Sequence, residues 1–288
     1  SISFVAPANA ILYNGAIPHF IDSEPNHFGV DSKKLEQYLK KNTIIKNNLC
    51  INKKTKRIIR AIIVVHVFGH PANIVNIVSI CKKFKIKVLE DAAEALGSLY
   101  KKKQVGTFGE IGVLSFNGNK IITTGVGGAI IINNKKLSQV SRHLTTTSKI
   151  KHKWEFIHDQ IGFNYRLANI NASLGISQID RLENLILKKK SLFKKFKQLM
   201  KHTKEIELLD QPKKCRSNFW LHTLVLKQAS KNKKNKLLNK FHKNKILARP
   251  IWRPLHKLNF LKKYPKMNLK NADLIENKII NIPSSSYL

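Results

Sequence analysis

The sequence predicts an α/β fold, in which a mostly parallel sheet sandwiched by helices is followed by a smaller C-terminal α+β domain. Near-continuous apolar runs of strand length, such as the one within "IIRAIIVVHVFG" at 58–69, are typical of strands buried on both faces. Segments with apolar residues at helical spacing lie between these runs, which indicates strand–helix–strand alternation. A hydrophobic content of 42% is enough for a sizeable core.

The predicted elements follow one another in a regular order. The first apolar strand precedes a helix that begins near Pro71 and carries apolar residues at 74, 77, 78 and 81. Further strands are predicted at 86–91, 110–116 and 127–133, with a helix from about residue 135. One long helix or two helices are expected over 169–200, then a strand at 217–227 and a basic amphipathic helix. We therefore predict a large domain at 1–190 and a small domain at 191–288.

The net charge of +36 has more than one interpretation. It is typical of proteins that bind polyanions such as nucleic acid. However, the basic residues are nearly all lysine and occur together with Asn and Ile, three residues with A/T-rich codons, so a compositional bias of the genome explains them as well. Steering of a small anionic substrate is a third interpretation. Because arginine, which reads bases and phosphates bidentately, is scarce, we predict no nucleic-acid partner.

The cysteines and the apolar segments indicate a cytoplasmic protein. The three cysteines, Cys50, Cys81 and Cys215, are scattered, which argues against a disulfide framework and against a zinc site. No apolar run reaches the length of about 18 residues that spans a bilayer, and no signal peptide is visible. We therefore expect no metal and no membrane partner.

Three residues that could carry chemistry lie at or just after the ends of predicted strands. Asp91 ends the strand in "VLEDAAEALGS", where a carboxylate faces the ligand crevice of a parallel sheet or, alternatively, caps the next helix. Lys120 follows the next strand, between Gly118 and a cluster of glycines that permits tight turns and close backbone approach. Ser115, at the end of that strand, offers a hydroxyl for an anion, although a single serine is a weak signal.

A lysine and an acid in this setting suggest a pyridoxal phosphate (PLP) site. A partly desolvated lysine can form a Schiff base with a carbonyl group. An acid that pairs with the pyridine nitrogen keeps the cofactor able to accept electrons, and the released lysine can move a proton. On spacing alone, a solvated surface lysine remains the alternative.

Longer motifs resemble one known family. "VHVFGHPANI", "EDAAEALGS" and "GTFGEIGVLSFNGNKIITTGVGGA" together resemble the DegT/DnrJ family of PLP-dependent nucleotide-sugar aminotransferases. The likeness extends over nearly the whole chain, with "GFNYRLANINASLGISQ" similar to the family's dimer-contact segment. It implies an aspartate-aminotransferase-like fold (fold type I) and a homodimer with shared active sites. The nearest likeness is to the branch that aminates UDP-linked 4-keto-6-deoxy amino sugars on routes to bacillosamine- or legionaminic-type sugars.

The resemblance also implies roles for individual residues. Lys120 matches the Schiff-base lysine, Asp91 the partner of the pyridine nitrogen, and Glu94 a residue that contacts the ring hydroxyl. Ser115 matches a phosphate ligand. The remaining cofactor matches are Phe4, which falls where an aromatic ring stacks on the cofactor, and Asn164, which falls where an asparagine reaches the phosphate in the neighbouring subunit. An ordinary core Phe and a loop-capping Asn are the alternatives.

Candidate substrate residues lie in two further segments. His66 and His70 have the spacing of a metal site on a helix, but Gly69 between them favours loop and substrate-pocket roles, which we predict for His66. Arg249 and Arg253 in "RPIWRPLHKL" are candidates for meeting an anion on the sugar nucleotide.

The chain departs from the family pattern in three ways. Pro7 and Val126 stand where the family has Thr and Gly, and Val126 is expected to crowd the glycine cluster. The chain starts at Ser1, and the resemblance implies an additional N-terminal segment whose backbone amides hold the cofactor phosphate.

The expected function is transfer of an amino group, with glutamate as donor, to a keto nucleotide sugar for surface polysaccharide or lipopolysaccharide biosynthesis. The alternative is an inactive, truncated member of the family. A PLP sugar dehydratase, which has histidine in place of the lysine, is disfavoured by Lys120.

Overall fold

The computed structural model describes residues 1–287. Two short 3-10 turns, Val67–Gly69 and Leu255–Lys257, add to the regular elements. The helices are α1 (Ala6–Tyr13), α2 (Ser32–Asn42), α3 (Ile74–Lys83), α4 (Lys135–Thr145), α5 (Asn169–Ile179), α6 (Leu182–Leu199), α7 (Lys231–Lys243) and α8 (Lys270–Glu276). The strands are β1 (Thr43–Lys46), β2 (Leu49–Asn52), β3 (Ala61–Val65), β4 (Lys87–Asp91), β5 (Leu99–Tyr100), β6 (Lys103–Gln104), β7 (Ile111–Ser115), β8 (Gly128–Ile131), β9 (Lys149–Ile150), β10 (Ile157–His158), β11 (Ile206–Leu208), β12 (Cys215–Arg216), β13 (His222–Leu226), β14 (Arg249–Pro250) and β15 (Ile279–Ile282).

The central sheet has the strand order β3-β4-β7-β8. Strands β3, β4 and β7 are parallel, and their register aligns Val65 with Asp91 and Asp91 with Val113. The carboxyl ends of these strands therefore meet at one edge of the sheet. Helix α3 packs on the sheet through Ile74, Ile77, Ile80 and Cys81. Of the predicted apolar positions 74, 77, 78 and 81, only Val78 is half-buried rather than buried.

Strand β8 runs antiparallel to β7, so the sheet is mixed rather than wholly parallel. The loop between them covers 116–127. The loop is pinned at its base because Phe116 N–H donates to the Gly127 carbonyl at 2.9 Å. Its central part carries Lys120, so the reversal of β8 holds that lysine next to the carboxyl edge of the sheet.

The C-terminal part contains an antiparallel sheet of order β11-β13-β15-β14. Helix α7 covers it through apolar residues that include Leu238 and Phe241. The predicted domain boundary at 190 falls inside helix α6, which is continuous from Leu182 to Leu199. One core cluster also contains side chains from both predicted parts, among them Ile2, Phe68, Trp220 and Ile279. The division into two domains therefore stays a prediction.

An antiparallel hairpin of β9 and β10 and the following helix α5 carry many exposed apolar side chains. None of the residues of α5 is buried in the chain. The exposed apolar side chains of this region include Trp154, Phe156, Ile161, Tyr165, Ile170 and Ile176. We call residues 149–179 the apolar arm. Among the helices of residues 1–287, none has the length and apolarity required to cross a membrane.

Candidate active site

The residues predicted to carry chemistry meet at the carboxyl edge of the central sheet. Asp91 is the last residue of β4, and Ser115 is the last residue of the neighbouring strand β7. Lys120 lies in the β7–β8 loop, where its backbone N–H donates to the Asn117 carbonyl at 3.0 Å. The parallel pairing of β4 with β7 thus brings together side chains that are far apart in sequence.

The Lys120 ammonium lies in a largely enclosed setting, with 13% of its side chain exposed. Its Nζ is 3.9 Å from Glu94 Oε1 and 4.2 Å from the centroid of the Trp220 ring. Burial lowers the pKa of Lys120, while the carboxyl groups of Glu94 and Asp91 oppose that shift. This setting distinguishes Lys120 from the solvated lysines that dominate the surface.

Asp91 and Glu94 hold their protons more tightly than ordinary carboxyl groups. Burial raises the pKa of Asp91, against the hydrogen bond that its Oδ1 accepts from Ala93 N–H at 3.1 Å and against the charge of Lys120. Burial also raises the pKa of Glu94 to about 8, against the charge of Lys120. Glu94 is therefore largely protonated at neutral pH, and its carboxyl group can donate a hydrogen bond.

Glu94 is fixed by a strained turn. Its Oε2 accepts a hydrogen bond from Phe68 N–H at 2.8 Å. Phe68 has a φ of 56°, in the left-handed region that bulky residues seldom adopt, and it is fully buried. Gly69 follows with a φ of 87°, and a Cβ there would lie 1.9 Å from Asn218 Oδ1. The motif "HVFGH" therefore serves to place one backbone amide against Glu94.

The glycine-rich loop that carries Lys120 requires glycine at two positions, and the crowding predicted for Val126 is not observed. Gly127 has a φ of 103°, and a Cβ on Gly128 would lie 2.4 Å from the Leu114 carbonyl, so both positions require glycine. The predicted crowding of this loop by Val126 does not agree with its position, because the residue is 64% exposed. Ser115 is half-buried, and its Oγ accepts a hydrogen bond from Asn117 N–H at 3.3 Å.

His66 is placed in a structural network. Its ring is fully buried, with Nδ1 accepting from Ala72 N–H at 3.0 Å and Nε2 lying 3.1 Å from Glu90 Oε2. These contacts engage both ring nitrogens and assign the proton to Nε2. Glu90 in turn accepts hydrogen bonds from the backbone N–H groups of Gly106, Phe108 and Gly109. The substrate-binding role predicted for His66 therefore has no free ring nitrogen to support it.

The other predicted residues of the site are all exposed. Phe4 is 57% exposed, although its neighbour Ile2 lies in the core cluster that includes Trp220. Asn164 is exposed on the apolar arm, where its Oδ1 accepts from Arg166 Nε–H at 3.1 Å.

Arg249 and Arg253 are both exposed, and they flank a residue that packs near the site. The Trp252 ring lies 5.0 Å from the Phe68 ring, which places the segment 249–253 behind the turn that holds Glu94. Across the part of the chain that the structure describes, no group of three or more His, Cys, Asp or Glu side chains is arranged to hold a metal ion.

Three residues of the site were missed by sequence reasoning: Glu90, Asn218 and Trp220. Glu90 gave one usable signal, because an acid that alternates with Asp91 on a buried strand must lie on the opposite face and needs partners there. Asn218 donates to the carbonyls of Glu94 and Leu96 at 2.9 Å each. Trp220 and Asn218 lie about 100 residues beyond Lys120, so no local pattern links them to it.

The residues present fit pyridoxal phosphate. An enclosed lysine amine, an acid at a strand end and a protonated carboxyl group match the aldehyde, the ring nitrogen and the ring oxygen of the cofactor in chemical type. Ser115 adds a hydroxyl at the end of β7 that can contact a phosphate.

Comparisons with known proteins agree with the fold and the motifs. The model of the DegT/DnrJ/EryC1/StrS aminotransferase family matches residues 1–288. EpsN of Bacillus subtilis (strain 168) is 37% identical over 256 residues, which cover 89% of this chain and 63% of that protein. GDP-perosamine synthase of Escherichia coli O157:H7 is 33% identical and covers 99% of this chain and 72% of its own length.

A solved structure confirms the predicted fold type. Helicobacter pylori PseC, an aminotransferase involved in the biosynthesis of pseudoaminic acid, superposes with a TM-score of 0.89 at 28% identity. The match covers all of this chain and 73% of that one. The chain thus spans between 63% and 73% of the length of these relatives. The resemblance noted in the sequence is confirmed, and the chain belongs to the DegT/DnrJ/EryC1/StrS aminotransferase family.

Proposed function

We propose that the protein is a pyridoxal phosphate-dependent aminotransferase that moves an amino group from glutamate to a keto nucleotide sugar. The observation that carries this proposal is the enclosed amine of Lys120, 3.9 Å from Glu94 at the carboxyl edge of the sheet that ends in Asp91. Membership of an aminotransferase family supports the same reaction class.

Three residues would hold the cofactor ring and phosphate. When bound, pyridoxal phosphate supplies an aldehyde for an amine and an electron-withdrawing ring for the carbon that carries it. Asp91 would keep a proton on the ring nitrogen, and the protonated carboxyl group of Glu94 would donate to the ring oxygen. Ser115 would donate its hydroxyl hydrogen to the phosphate.

Lys120 would take and return the proton at the reacting carbon. Its pKa is lowered by burial, so a neutral amine is accessible nearer to neutral pH than for a solvated lysine. A base poised in this way can accept a proton and then give it back as an acid. The low exposure of the side chain keeps water from competing for the same proton.

The acceptor is proposed from the relatives. The names of two relatives contain different nucleotides. GDP appears in the name of GDP-perosamine synthase of Escherichia coli O157:H7, and UDP appears in that of the UDP-4-amino-4,6-dideoxy-N-acetyl-beta-L-altrosamine transaminase of Campylobacter jejuni. We therefore propose a nucleotide-linked keto sugar destined for surface polysaccharide, with Arg249 and Arg253 as candidates for its phosphates. The UDP-linked branch that the sequence resembles stays a prediction, as does amination at C4. A cytoplasmic location fits the few cysteines.

A second copy of the chain would cover the apolar arm. Exposed Trp154, Phe156 and Tyr165 lie on a segment where α5 buries none of its residues within one chain. Contiguous exposed apolar surface is typical of subunit interfaces. Asn164 lies on this arm, and in the proposed homodimer with shared active sites it would reach the cofactor phosphate of the partner, the role that the resemblance implies for it.

The relatives and the preserved site favour an active enzyme over the inactive alternative. Lys120, Asp91 and Glu94 keep the chemistry expected of a working site, and the named relatives are transaminases and sugar synthases.

The proposal is tested by assaying amino transfer directly. The purified protein, loaded with pyridoxal phosphate, is incubated with glutamate and a UDP- or GDP-linked 4-keto-6-deoxy sugar, and formation of 2-oxoglutarate and of the amino sugar is followed by mass spectrometry. We expect equal amounts of both products. Lys120→Ala should abolish them, whereas Lys103→Ala, which removes an exposed lysine beside Phe108, should not. Equal turnover by the Lys120→Ala variant would contradict the proposal.

A further inference from the structure

Lys120 has an aromatic neighbour in addition to its carboxyl neighbours. The Lys120 Nζ lies 4.2 Å from the centroid of the Trp220 ring, within the distance at which an ammonium is attracted to an indole face. Trp220 is almost fully buried, and its segment (Ser217–Leu221) precedes β13 of the C-terminal sheet. A residue from the segment that leads into a different sheet therefore lies beside the Lys120 amine.

The Trp220 ring is held in place from several sides. Its Nε1–H donates to the Asn119 carbonyl at 2.7 Å, which links the indole to the residue next to Lys120. Its backbone N–H donates to Asn218 Oδ1 at 2.9 Å, and its carbonyl accepts from Lys189 Nζ at 3.1 Å. Asn218 also donates to the Glu94 carbonyl. The two groups that flank the Lys120 amine, Glu94 and Trp220, are thus tied to each other through one asparagine.

The chemistry of the site gives this ring a purpose. Burial raises the pKa of Glu94 to about 8, so near neutral pH only a small fraction of Glu94 carries a charge that balances the Lys120 ammonium. Asp91 would pair with the ring nitrogen of a bound cofactor. The indole face attracts a cation without being able to take its proton, unlike a carboxylate. It therefore stabilises the protonated amine and fixes its position while leaving the proton available for transfer.

We infer that Trp220 is a positioning residue for Lys120. The face of the Trp220 ring holds the Lys120 ammonium in place and so sets the acidity of the reacting amine. The inference rests on the proposed function only for its consequence in catalysis. The contact itself can be tested in the cofactor-free protein.

The test measures the acidity of Lys120 by competitive labelling. The cofactor-free protein is treated with trace acetic anhydride across a pH series, and labelling at each lysine is quantified by mass spectrometry of peptides. The midpoint of the profile, scaled to its own alkaline plateau, reports the pKa of Lys120 without regard to its accessibility. Trp220→Leu removes the ring but keeps an apolar side chain. It should lower this midpoint by about 1 pH unit, which corresponds to an about tenfold change in the protonation equilibrium of Lys120. Trp220→Phe, which keeps a ring face, should recover most of that change.

Lys189 provides an internal control. It contacts the carbonyl of Trp220 rather than its ring, and burial lowers its pKa to about 8. Its labelling midpoint should remain constant in both variants if only the ring contact is lost. Parallel movement of the Lys120 and Lys189 midpoints would overturn the inference, since it would indicate collapse of the whole segment. An unchanged Lys120 midpoint in Trp220→Leu would also overturn it, as would equal loss in Trp220→Phe.

A second measurement covers the case in which Trp220→Leu does not fold. Replacement of the tryptophans by mono-, di- and trifluorinated tryptophan keeps the ring shape and progressively weakens its attraction for a cation. The Lys120 midpoint should fall stepwise with fluorination, and a constant midpoint would contradict the inference. Because neither measurement uses substrate or cofactor, a failure here is distinguishable from a failure of the proposed aminotransferase activity.

Discussion

At the residue scale, Lys120 differs from the solvated lysines of a chain of net charge +36, and it differs from the buried Lys189, whose Nζ contacts backbone carbonyl groups, in facing a carboxyl group at the edge of the sheet. Its amine has Glu94 at 3.9 Å and the Trp220 ring at 4.2 Å, and only 13% of its side chain is exposed. A solvated lysine would keep its ordinary pKa, whereas burial lowers the pKa of Lys120. The alternative that spacing alone left open, another surface charge, does not fit this environment.

Sequence reasoning at this scale gave the correct positions of the candidate residues relative to the strands, while their roles stay predictions. Asp91 and Ser115 end neighbouring strands, and Lys120 follows in a loop whose base is held by the hydrogen bond from Phe116 N–H to the Gly127 carbonyl. Trp220 could not be predicted because its approach depends on how the C-terminal sheet packs on the central one. The buried Glu90–His66 pair was missed because its energy comes from loop amides that only the folded chain brings together.

Glu94 makes stability depend on pH. Its pKa is raised from 4.5 to about 8 by burial, so between these values the folded carboxyl group keeps a proton that the unfolded one has lost. The free energy of unfolding should therefore fall as pH rises through this range, by at most about 1.4 kcal/mol per pH unit. Glu94→Gln, which keeps the shape and cannot ionise, should flatten that slope. Urea denaturation at pH 5, 6, 7 and 8 measures it, and an equally steep slope in the variant would rule out Glu94 as the source.

At the element scale, hydrogen bonds join the turn Val67–Gly69 to the segment before β13. Gly69 accepts hydrogen bonds at its carbonyl from Ser98 Oγ at 2.7 Å and Ser217 Oγ at 2.9 Å. Phe68 and Phe219 both have positive φ angles, of 56° and 49°. Strain of this kind persists only where the surroundings enforce it, and here it lies between the two groups that flank Lys120.

Gly69→Ala should disrupt the packing of this turn against the segment before β13. The residue has a φ of 87°, and a Cβ would lie 1.9 Å from Asn218 Oδ1. We expect a loss of about 1–3 kcal/mol in the free energy of unfolding, together with weaker cofactor binding, because Asn218 supports both Glu94 and Trp220.

Gly15→Ala is the matched control for this change. Gly15 has a similar φ of 64° but no atom within 4 Å of the added Cβ, so it carries the backbone cost without the clash. Chemical denaturation and pyridoxal phosphate titration compare the two variants. Equal losses of unfolding free energy and of cofactor affinity in both variants would show that a Cβ at position 69 does not displace Asn218.

Most elements followed from the sequence, and the exceptions have physical reasons. The helix predicted near Pro71 is Ile74–Lys83, and the segment 169–200 forms two helices that meet near Asp180. The reversal of β8 was not predicted because an apolar run has the same pattern in a parallel or an antiparallel strand. The short strand pairs β1–β2 and β9–β10 carry too few residues to show a period.

At the scale of the whole molecule, the apolar arm exposes apolar side chains that a single chain does not bury. Its exposed aromatic and aliphatic side chains include Trp154, Phe156, Ile161, Tyr165 and Ile170. Asn171 Nδ2 on helix α5 donates to the Thr124 carbonyl at 2.6 Å, which joins the arm to the glycine-rich loop that carries Lys120. Covering the arm would therefore also support the site.

Charges on the arm should separate the proposed dimer. Ile170→Asp with Tyr165→Asp places two carboxylates on exposed apolar positions, so we expect a shift from dimer to monomer in sedimentation equilibrium and loss of amino transfer. Val75→Asp with Leu274→Asp, on exposed apolar positions outside the arm, should leave the mass and the activity unchanged. A wild-type protein that sediments as a monomer, or an arm variant that stays a dimer, would contradict the assignment of this interface.

The most direct test of the account asks which lysine carries the cofactor. The purified protein is loaded with pyridoxal phosphate, reduced with borohydride, digested and analysed by mass spectrometry. We predict that the reduced cofactor is found on Lys120 at near-stoichiometric yield. In the Lys120→Ala variant, no lysine should carry the reduced cofactor at near-stoichiometric yield. Trapping on a different lysine, or labelling spread evenly over the surface lysines, would contradict the central claim that Lys120 is the reacting amine.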